Sequence, residues 1–437
     1  MAWFVAYFAV LLASALFHNA KNSGTHYFVY GRKASTGLVC CSLLASCIGG
    51  SATIGMMGLA WQAGFPAFWW LGAGAAGLLV LALCLAGKIR KSHAWTMPQI
   101  IENTLGSTFR KIAATIIFLT YLPIMAAQFG ALQTVIASLT GLDPSWAMAA
   151  GVLTVLFYTA IGGQGAVIRS DLWQFGIMVA MLTALLGFCL YMPQGRAELA
   201  AMPLQFLNDD FPPERLLYFL FILGGSFIVG PMLFGRLLSA RNTTCARNGA
   251  LYAAFSLFII AIIITCIGVA MRGFPMPADI APQECFGYFA QTFLPPWTRM
   301  PVLLGMYSII LSSADSCLFT TATVCANDLL QKPSIKNCRL FMLLVCALAY
   351  GLAMQGRGIL ALLLMANDIY VCGLVVPIFI TMLGERRFTI QRPLMLCAVL
   401  AGGGTGFCAA MTNAQWLSFT AFGMATLFSL LSLRKRK

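Results

Sequence analysis

One stretch of the chain, residues 305–330, sets the tightest limit on how the protein folds. It is apolar and long enough to cross a bilayer as a helix, for which about 20 residues suffice, yet its middle is polar. It carries four serines and one aspartate: Ser308, Ser312, Ser313, Asp315 and Ser316. Because residues three and four positions apart share a helix face, most of these side chains line one side of the predicted helix.

The polar face of this helix calls for a partner. A carboxylate at the bilayer centre costs about 2.5–3.5 kcal/mol on insertion scales, so Asp315 is expected to face a partner or a watery cavity. Hydroxyl and carboxylate oxygens are hard ligands that suit a small hard cation. The alternative is that the serines only form hydrogen bonds between helices, as serines commonly do in membrane bundles. That alternative does not account for Asp315.

The rest of the chain also consists of long apolar runs. Hydrophobic residues make up 60% of the sequence and charged residues 9%, whereas a soluble domain averages about 25% charged. The runs predict an all-α polytopic membrane protein with about thirteen transmembrane helices. Their approximate bounds are 2–17, 37–60, 66–86, 112–140, 147–162, 166–193, 217–240, 246–272, 301–330, 338–356, 358–384, 393–411 and 415–433. We interpret the first as a retained helix, because it lacks the basic segment and the clear cleavage site of a signal peptide.

These helices predict three parts. Residues 1–36 form an N-terminal helix and an inside loop, residues 37–384 a ten-helix core, and residues 385–437 two C-terminal helices with a basic cytoplasmic tail. The core divides into two sets of five helices, 37–193 and 217–384. An odd number of spans in each set inverts the second set relative to the first.

Loop charges predict the orientation of the chain in the membrane. With the N-terminus outside, few of the 27 basic residues lie outside: Arg196, Arg215, Arg272, Arg299 and Arg357. The others, among them Arg169 and Arg236, are assigned to inside loops, as the positive-inside rule requires. Topology therefore explains the net charge of +14, and we expect membrane lipids but no nucleic acid as partners. The expected location is the plasma membrane, here a bacterial inner membrane, with the C-terminus in the cytoplasm.

Two glycine pairs occupy matching positions in the two sets of helices. Gly49, Gly50 and Ser51 lie in the first helix of the first set, and Gly224, Gly225 and Ser226 lie in the first helix of the second set, followed by Pro231. Glycine leaves helical geometry cheaply and proline lacks a backbone donor. Matching interruptions predict two broken helices around a transporter site. The alternative is that glycine, with 41 residues, only allows close helix contact.

Six segments, in order, resemble the sodium/solute symporter family of sodium-coupled sugar, proline and sialic acid transporters. They are HYFVYGRKAS, SLLASCIGGSATIGMMGLAWQAG, TMPQIIENTLG, IGGQGAVIRSDLWQFGIM, GPMLFGRLLSARNTTCARNGA and SSADSCLFTTATVCANDL. The resemblance runs over residues 27–383 and is specific to the family but not to a substrate. It implies two inverted five-helix repeats, alternating access, and sodium as the coupling ion, with no other cofactor or metal.

The resemblance also implies residues for the sodium site. Backbone carbonyls at the break of the first core helix match Gly50 and Thr53, and a carbonyl and two hydroxyls of the serine-rich helix match Ile309, Ser312 and Ser313. Independently of the family, neutral carbonyls and hydroxyls at a helix break form a cage of oxygen dipoles. Such a cage can replace the water shell of a cation without burying several charges.

A second cation site in some members of the family matches Asp171, Asp315 and Ser316. An aspartate at 315, where those members have a hydroxyl, leaves open whether the site holds sodium, a proton or a structural hydrogen bond. Asp171 also has a simpler interpretation, an interfacial salt bridge with Arg169. If the two carboxylates approach each other without a cation, they repel and one keeps its proton.

Polar residues inside apolar runs are the candidates for binding the substrate. They come from the two expected helix breaks and from two further helices: Ser51, Gly225, Ser226, Phe227, Gln128, Asn367 and Asp368. Gln and Asn also join helices by hydrogen bonds, which is the alternative. Trp61, Trp69, Trp70 and Tyr121 are candidates for gating or stacking on the substrate, although Trp69 and Trp70 also suit a position at the membrane interface. The absence of a basic residue assigned to mid-span favours a neutral or zwitterionic solute.

The sequence therefore predicts a secondary active transporter that carries sodium and a small organic solute into the cell. Proton coupling on the same scaffold and a solute sensor derived from a transporter are the alternatives. A channel is disfavoured because the polar residues concentrate at mid-span. An enzyme is not expected, because the three histidines fall in loops and no nucleophile lies beside a base.

Overall fold

The protein is a bundle of long apolar helices. The computed structural model describes residue 9 and residues 24–356, 358–384, 387–412 and 414–435. Within them, 9 helices are long and apolar enough to cross a membrane: Phe65–Lys91, Ser107–Thr140, Pro144–Tyr191, Pro213–Ser239, Thr243–Gly273, Pro296–Leu329, Ile335–Ala353, Ile359–Gly384 and Arg392–Thr412. A bent pair, Thr36–Cys47 and Ser51–Ala63, makes one more, and Gln415–Leu431 is a shorter apolar helix.

This arrangement confirms the prediction of a polytopic all-α membrane protein. Each predicted span from 37–60 onward has a helical counterpart, and the first predicted span, 2–17, lies outside the described residues, as does Arg357. Spans 147–162 and 166–193 fall in one helical run, Pro144–Tyr191, which is interrupted at Gly163. The backbone there has a φ of 59°, and a Cβ would lie 2.6 Å from the ring of Tyr27. Only glycine fits this turn between two spans.

The first broken helix consists of Thr36–Cys47 and Ser51–Ala63, which meet at an angle of 67°. Ser35 caps its start by accepting a hydrogen bond from the Leu38 amide. Ile48 leaves the helix with extended backbone angles (φ −105°, ψ 95°). A π-helical turn, Ser51–Gly55, then starts the second segment. The break therefore lies at Ile48, immediately before the glycine pair.

The second broken helix, Pro213–Ser239, departs from helical geometry later than predicted. Residues Gly224–Ile228 are helical, and the break falls at Val229 (φ −127°, ψ 64°) and Gly230 (φ −94°, ψ 119°). Pro231 then begins the next segment, where a missing backbone donor costs least. The expectation of a break at the glycine pair 224–225 is therefore wrong by about one helical turn.

The glycines of the second broken helix serve close packing. A Cβ on Gly225 would lie 2.8 Å from Val371, and a Cβ on Gly77 of the neighbouring helix would lie 2.0 Å from the Gly224 carbonyl oxygen. Both distances are shorter than a van der Waals contact. Close helix contact, the simpler interpretation of the glycines, therefore describes Gly224 and Gly225.

At the centre of the bundle lies the Pro296–Leu329 helix, which we name the serine helix. In its most apolar 18-residue window, 94% of the residues are buried, the largest share among the candidate membrane spans of the described chain. It packs against the Pro144–Tyr191 and Ser107–Thr140 helices. Its polar face therefore meets protein on all sides, which is how a membrane helix accommodates polar residues.

The two C-terminal helices, Arg392–Thr412 and Gln415–Leu431, pack on each other and on the Ile359–Gly384 helix. Strands Phe388–Ile390 and Leu433–Lys435 pair antiparallel, with Phe388 opposite Lys435. This short ribbon joins the segment before the Arg392–Thr412 helix to the segment after the Gln415–Leu431 helix. The division into parts at residues 36 and 384 stays a prediction.

Replacing Gly50 tests how closely the first break must pack. In Gly50→Ala the new Cβ would lie 2.2 Å from the Cβ of Ala131, so we expect a loss of about 1–3 kcal/mol, as for overpacked cores. The double variant Gly50→Ala/Ala131→Gly removes the clash and should recover much of the loss. Thermal unfolding in detergent measures both. Gly176→Ala is the matched control, because nothing lies within 4 Å of its Cβ; a loss as large as that of Gly50→Ala would contradict the argument.

Candidate functional site

Two hydroxyls of the serine helix meet the carbonyls released at the first helix break. Ser312 Oγ lies 2.9 Å from the Ala45 carbonyl oxygen, and Ser313 Oγ lies 3.0 Å from the carbonyl oxygens of both Ala45 and Ile48. The Ile309 carbonyl oxygen is 3.2 Å from Ser312 Oγ. Three carbonyl oxygens and two hydroxyl oxygens thus gather in the buried centre of the bundle. We name them the five-oxygen cluster.

Two of the residues expected in this cluster lie outside it. Gly50 and Thr53 were expected to supply its carbonyls, but Gly50 O accepts from the Gly55 amide at 3.1 Å and Thr53 O accepts from Met56. Both belong to the second helical segment, because the chain leaves the helix at Ile48. The carbonyls at the break are therefore those of Ala45 and Ile48, and the expected register is wrong by five residues.

The glycine pair has a steric role beside the cluster. A Cβ on Gly49 would lie 2.9 Å from the Cβ of Ser313 and 2.8 Å from the side-chain amide of Gln128. Gly50 donates its amide hydrogen to Gln128 Oε1 at 2.9 Å. The missing Cβ at Gly49 therefore lets the broken helix approach the serine helix closely, and the missing Cβ at Gly50 lets it approach Ala131 of the Ser107–Thr140 helix.

A second polar cluster, which we name the charged cluster, lies next to the first. Ser42 Oγ donates to Asp171 Oδ2, and Arg236 Nη2 lies 3.4 Å from that carboxylate oxygen. Arg236 also donates to Ser316 Oγ, which is 3.1 Å from Asp315 Oδ1. The expected grouping of Asp171, Asp315 and Ser316 is thus present, with an arginine in its middle.

The burial of Arg236 was not predicted from the sequence. The residue was assigned to a solvated inside loop, but its side chain is 0% exposed and lies in the segment Pro231–Ser239 of the second broken helix. The predicted span 217–240 already contained position 236, and the helix Pro213–Ser239 agrees with it, so the error lay in counting Arg236 among the loop charges. Arg169, the simpler expected partner of Asp171, instead donates from Nε to the Tyr30 hydroxyl at 3.1 Å. The interfacial pair of Asp171 with Arg169 is therefore wrong.

The charged cluster is electrostatically incomplete. Asp171 Oδ1, Asp315 Oδ2, and Nε and Nη1 of Arg236 are buried without a hydrogen-bond partner among the described residues. Two ionised carboxylates and one guanidinium leave one negative charge. Burying an unbalanced charge is costly, so the composition of this cluster fits one further monovalent cation or a proton.

A cavity of about 100 Å³ lies between the two helix breaks and shares a wall with the five-oxygen cluster through Ser313. Five of the residues expected to bind the substrate line it: Ser51, Gln128, Ser226, Phe227 and Asn367. Trp70 and Tyr121 line it as well. Tyr370 is a further lining residue, and its hydroxyl donates to the Val229 carbonyl at the second break. The two breaks and the cavity thus form one site.

The other expected substrate residues lie elsewhere. Asp368 accepts from the Tyr218 hydroxyl at 2.9 Å and from Ser418 Oγ at 2.8 Å, so it joins the core to the last helix. It was expected at the substrate because it is a polar residue inside an apolar run, but successive residues on a helix point in different directions, and Asp368 points away from Asn367's cavity. Gly225 packs against Val371. Neither residue lines the cavity.

Two of the aromatic candidates lie outside the cavity as well. Trp69 Nε1 donates to the Phe206 carbonyl at 3.2 Å, and Trp61 lines a separate cavity of about 420 Å³ beside Arg272. Neither tryptophan is therefore placed to stack on a solute between the two helix breaks.

Comparison with known proteins gives consistent matches. Residues 27–389 match the family model described as "Sodium:solute symporter family". A sodium/glucose cotransporter of Vibrio parahaemolyticus is 22% identical over 75% of this chain and 68% of its own length. The human sodium/iodide cotransporter is 23% identical over 77% of this chain and 57% of its own length, so the chain spans little more than half of that relative.

A solved structure shares the fold. It is titled "Substrate-bound outward-open state of a Na+-coupled sialic acid symporter reveals a novel Na+-site", and it superposes with a TM-score of 0.82 over 100% of this chain and 98% of that chain, at 14% identity. At that identity the likeness concerns the fold. It confirms the predicted core of two inverted five-helix repeats with broken first and sixth helices.

Removing Arg236 tests the charged cluster. Arg236→Gln leaves two buried carboxylates without their guanidinium, so we expect a loss of about 3–5 kcal/mol, the usual cost of breaking a buried pair from one side. Arg236→Gln/Asp171→Asn removes one carboxylate as well and should recover a large part of that loss. Thermal unfolding at fixed sodium concentration measures the difference. Equal melting temperatures for the wild type and Arg236→Gln would refute the pairing.

Proposed function

The chain belongs to the sodium:solute symporter family, and from this premise we propose that it carries a small organic solute into the cell together with sodium by alternating access. The relatives named above are all transporters, and the chain is a transporter, not an enzyme. The cavity between the breaks shares a wall with the five-oxygen cluster, which is the arrangement that coupled movement of an ion and a solute requires. We therefore favour transport over a sensor function.

The five-oxygen cluster carries this proposal. We assign sodium to the carbonyls of Ala45, Ile48 and Ile309 and to the hydroxyls of Ser312 and Ser313. The donor set fits the ion, because all five oxygens are uncharged, hard and buried, and together they can replace its water shell. Each serine hydroxyl now uses its hydrogen on a carbonyl, and a cation would instead take the oxygen lone pairs of both groups.

Coupling follows from which elements the sodium would join. Ala45 and Ile48 belong to the first broken helix, and the other three ligands belong to the serine helix. The ion therefore binds only a conformation in which these two elements meet, and it shifts the population toward that conformation. The cavity lies on the same broken helix, so this shift also shapes the substrate site.

The driving force is sufficient for accumulation. A sodium ion that enters down 100 mV gains about 2.3 kcal/mol, and a tenfold concentration gradient adds about 1.4 kcal/mol. One coupled ion can therefore sustain a roughly several-hundred-fold accumulation of a neutral solute. A second coupled cation would square this limit.

The charged cluster is our candidate for a second coupling site. Asp171, Asp315 and Ser316 supply its oxygens and Arg236 supplies one fixed positive charge. A sodium ion or a proton would balance the remaining negative charge, and both alternatives stay open. Proton coupling on this scaffold is accordingly the second candidate function.

The membrane setting follows from the loop charges. We propose an N-terminus outside, a C-terminus in the cytoplasm and a location in the plasma membrane, because most basic residues would then lie inside. Contacts with lipids follow from this location. The expected partners are sodium, the organic solute and membrane lipids.

Ser313→Ala tests the sodium site. The substitution removes one of the five oxygens, so we expect the sodium concentration for half-maximal uptake, and for half-maximal thermal stabilisation, to rise about tenfold or more, for a loss of about 1.4 kcal/mol or more. Thr321→Ala is the control, because its hydroxyl is equally buried in the serine helix but donates to the carbonyl of Cys317 in the same helix, at 2.8 Å, and lies outside the five-oxygen cluster. A sodium response in Ser313→Ala equal to that of Thr321→Ala would remove the assignment.

Asp315→Asn tests the second coupling site. The substitution removes the unbalanced negative charge, so the cation that balances it is no longer needed. We expect the charge moved per solute, measured from reversal potentials in proteoliposomes, to fall by about one elementary charge, whether that cation is sodium or a proton. The dependence on pH or on sodium that disappears with it identifies the ion. An unchanged charge-to-solute ratio would show that Asp315 has no part in coupling.

A further inference from the structure

A cavity of about 620 Å³ lies at one end of the bundle, apart from the two helix breaks. It is found where three membrane helices begin or end: Phe65–Lys91, Thr243–Gly273 and Ile359–Gly384. A short helix, Met97–Leu105, forms part of its wall. None of the residues assigned above to sodium or to the solute lines it. The cavity therefore needs an explanation outside the proposed sites for ion and solute.

The wall of this cavity, which we name the basic cavity, carries three positive side chains: Lys88, Lys91 and Arg247. None of them forms an ion pair with a residue in the described part of the chain. Lys88 Nζ donates to an uncharged acceptor, the Met382 carbonyl oxygen, at 2.6 Å. The acidic residue in the described wall, Glu102, is already bound to Arg110 at 2.7 Å. The adjoining loop, residues 385–387 with the sequence ERR, adds one more positive charge on balance. The basic cavity thus has an excess of positive charge.

A buried hydroxyl in the same wall indicates a ligand. Thr381 lines the basic cavity and is 1% exposed, and its Oγ1 has no hydrogen-bond partner among the described residues. Buried polar groups in proteins are paired with few exceptions. A hydroxyl can donate to an anionic oxygen, and lysine and arginine form charge-assisted hydrogen bonds to phosphate and carboxylate groups. The hydroxyl and the three cations therefore favour the same kind of ligand, an anion.

The wall changes from basic to apolar along one helix. Leu83, Gly87 and Lys91 line the cavity and share a helix face, because they are spaced four residues apart. Lys91 ends the helix, and Leu83 lies about 12 Å deeper in the bundle at 1.5 Å per residue and is 54% exposed. Nothing lies within 4 Å of a Cβ placed on Gly87, so the wall between the two ends is open. A ligand that covers this wall needs an anionic end and an apolar end.

We propose that the basic cavity binds the headgroup of an anionic glycerophospholipid. Its phosphate would accept from Lys91, Arg247 and the Thr381 hydroxyl, and an acyl chain would pass Gly87 and bury its surface against Leu83. The proposed topology places this end of the bundle in the cytoplasm, where basic pockets between membrane helices bind anionic headgroups. A free phosphate would leave the apolar part of the wall uncovered, and the ammonium of a zwitterionic lipid would be repelled by the cations.

Matched lipids and soluble phosphates test the ligand on the full-length protein, stripped of lipid in neutral detergent. We expect phosphatidylglycerol to raise the melting temperature and to bind at least tenfold more tightly than phosphatidylcholine with the same acyl chains. Inorganic phosphate and glycerol 3-phosphate, which lack acyl chains, should bind at least tenfold more weakly than phosphatidylglycerol. Equal binding of the two lipids would refute an anion site. Equal binding of the soluble phosphates would overturn the assignment to a lipid.

A pair of double variants tests the position of the site. Lys91→Gln/Arg247→Gln should weaken phosphatidylglycerol binding more than tenfold, since it removes two charge-assisted hydrogen bonds. Lys332→Gln/Lys336→Gln is the matched control, because it removes the same charge from exposed positions on the same proposed side of the membrane, outside the cavity. Equal losses in the two double variants would assign the binding to general surface charge and overturn the site.

Thr381→Val tests the buried hydroxyl without a change of charge. Because this hydroxyl has no partner within the described protein, its removal should leave the melting temperature of the lipid-stripped protein unchanged. The affinity for phosphatidylglycerol should fall about tenfold, the usual size of one hydrogen bond to a charged group. Thr381→Ser keeps the hydroxyl and should bind the lipid as the wild type does. Wild-type affinity in Thr381→Val would show that the headgroup does not reach this part of the cavity and would contradict the proposed binding mode.

Discussion

The contact on which this structure depends joins two serine hydroxyls to a pair of backbone carbonyls. A helix that breaks inside a membrane leaves backbone groups unpaired, and no water is present to satisfy them. Ser312 and Ser313 supply that satisfaction for Ala45 and Ile48, so the break is stable only where the serine helix passes. The same carbonyls that need a partner are those that can bind a cation. The carbonyls that need a partner and the proposed sodium site therefore involve the same atoms.

The second break solves the same problem with a different side chain. The Tyr370 hydroxyl donates to the Val229 carbonyl, and the ring of Tyr370 meets Tyr121 edge-on with centroids 6.4 Å apart. The two halves thus share an architecture but not a chemistry, because the carbonyls at the first break accept from serine hydroxyls, whereas the Val229 carbonyl at the second accepts from a tyrosine hydroxyl.

The sequence predicted the elements better than the registers. Apolar runs of bilayer length and a polar face on the serine helix are local patterns, so the spans and the inward direction of Ser312 and Ser313 could be inferred from them. The residue at which a helix breaks depends on its tertiary partners, and the positions of glycines do not reveal those partners. For this reason the sequence predicted the carbonyls of Gly50 and Thr53 at the first break, whereas the structure has those of Ala45 and Ile48 there. The burial of Arg236 could not be predicted without knowing that Asp171, on another helix, lies beside it. The direction of Asp368 likewise depended on Tyr218 and Ser418.

The charged cluster and the five-oxygen cluster are linked through Ser316 and through Ser46, whose Oγ donates to Ser316 Oγ at 3.3 Å and whose carbonyl oxygen is 3.5 Å from Ser313 Oγ. Ser316 Oγ lies 2.7 Å from the Ser312 carbonyl oxygen and also receives a hydrogen bond from Arg236. Because a hydroxyl has one hydrogen, its donation to Ser312 and its donation to Asp315 exclude each other. A cation or proton that neutralised Asp315 would change which acceptor, the Ser312 carbonyl or the Asp315 carboxylate, receives the hydrogen of the Ser316 hydroxyl. The carbonyl of Ser312 belongs to the turn that holds both hydroxyls of the five-oxygen cluster, so the two proposed cation sites are neighbours joined by this hydrogen bond and by the contacts of Ser46.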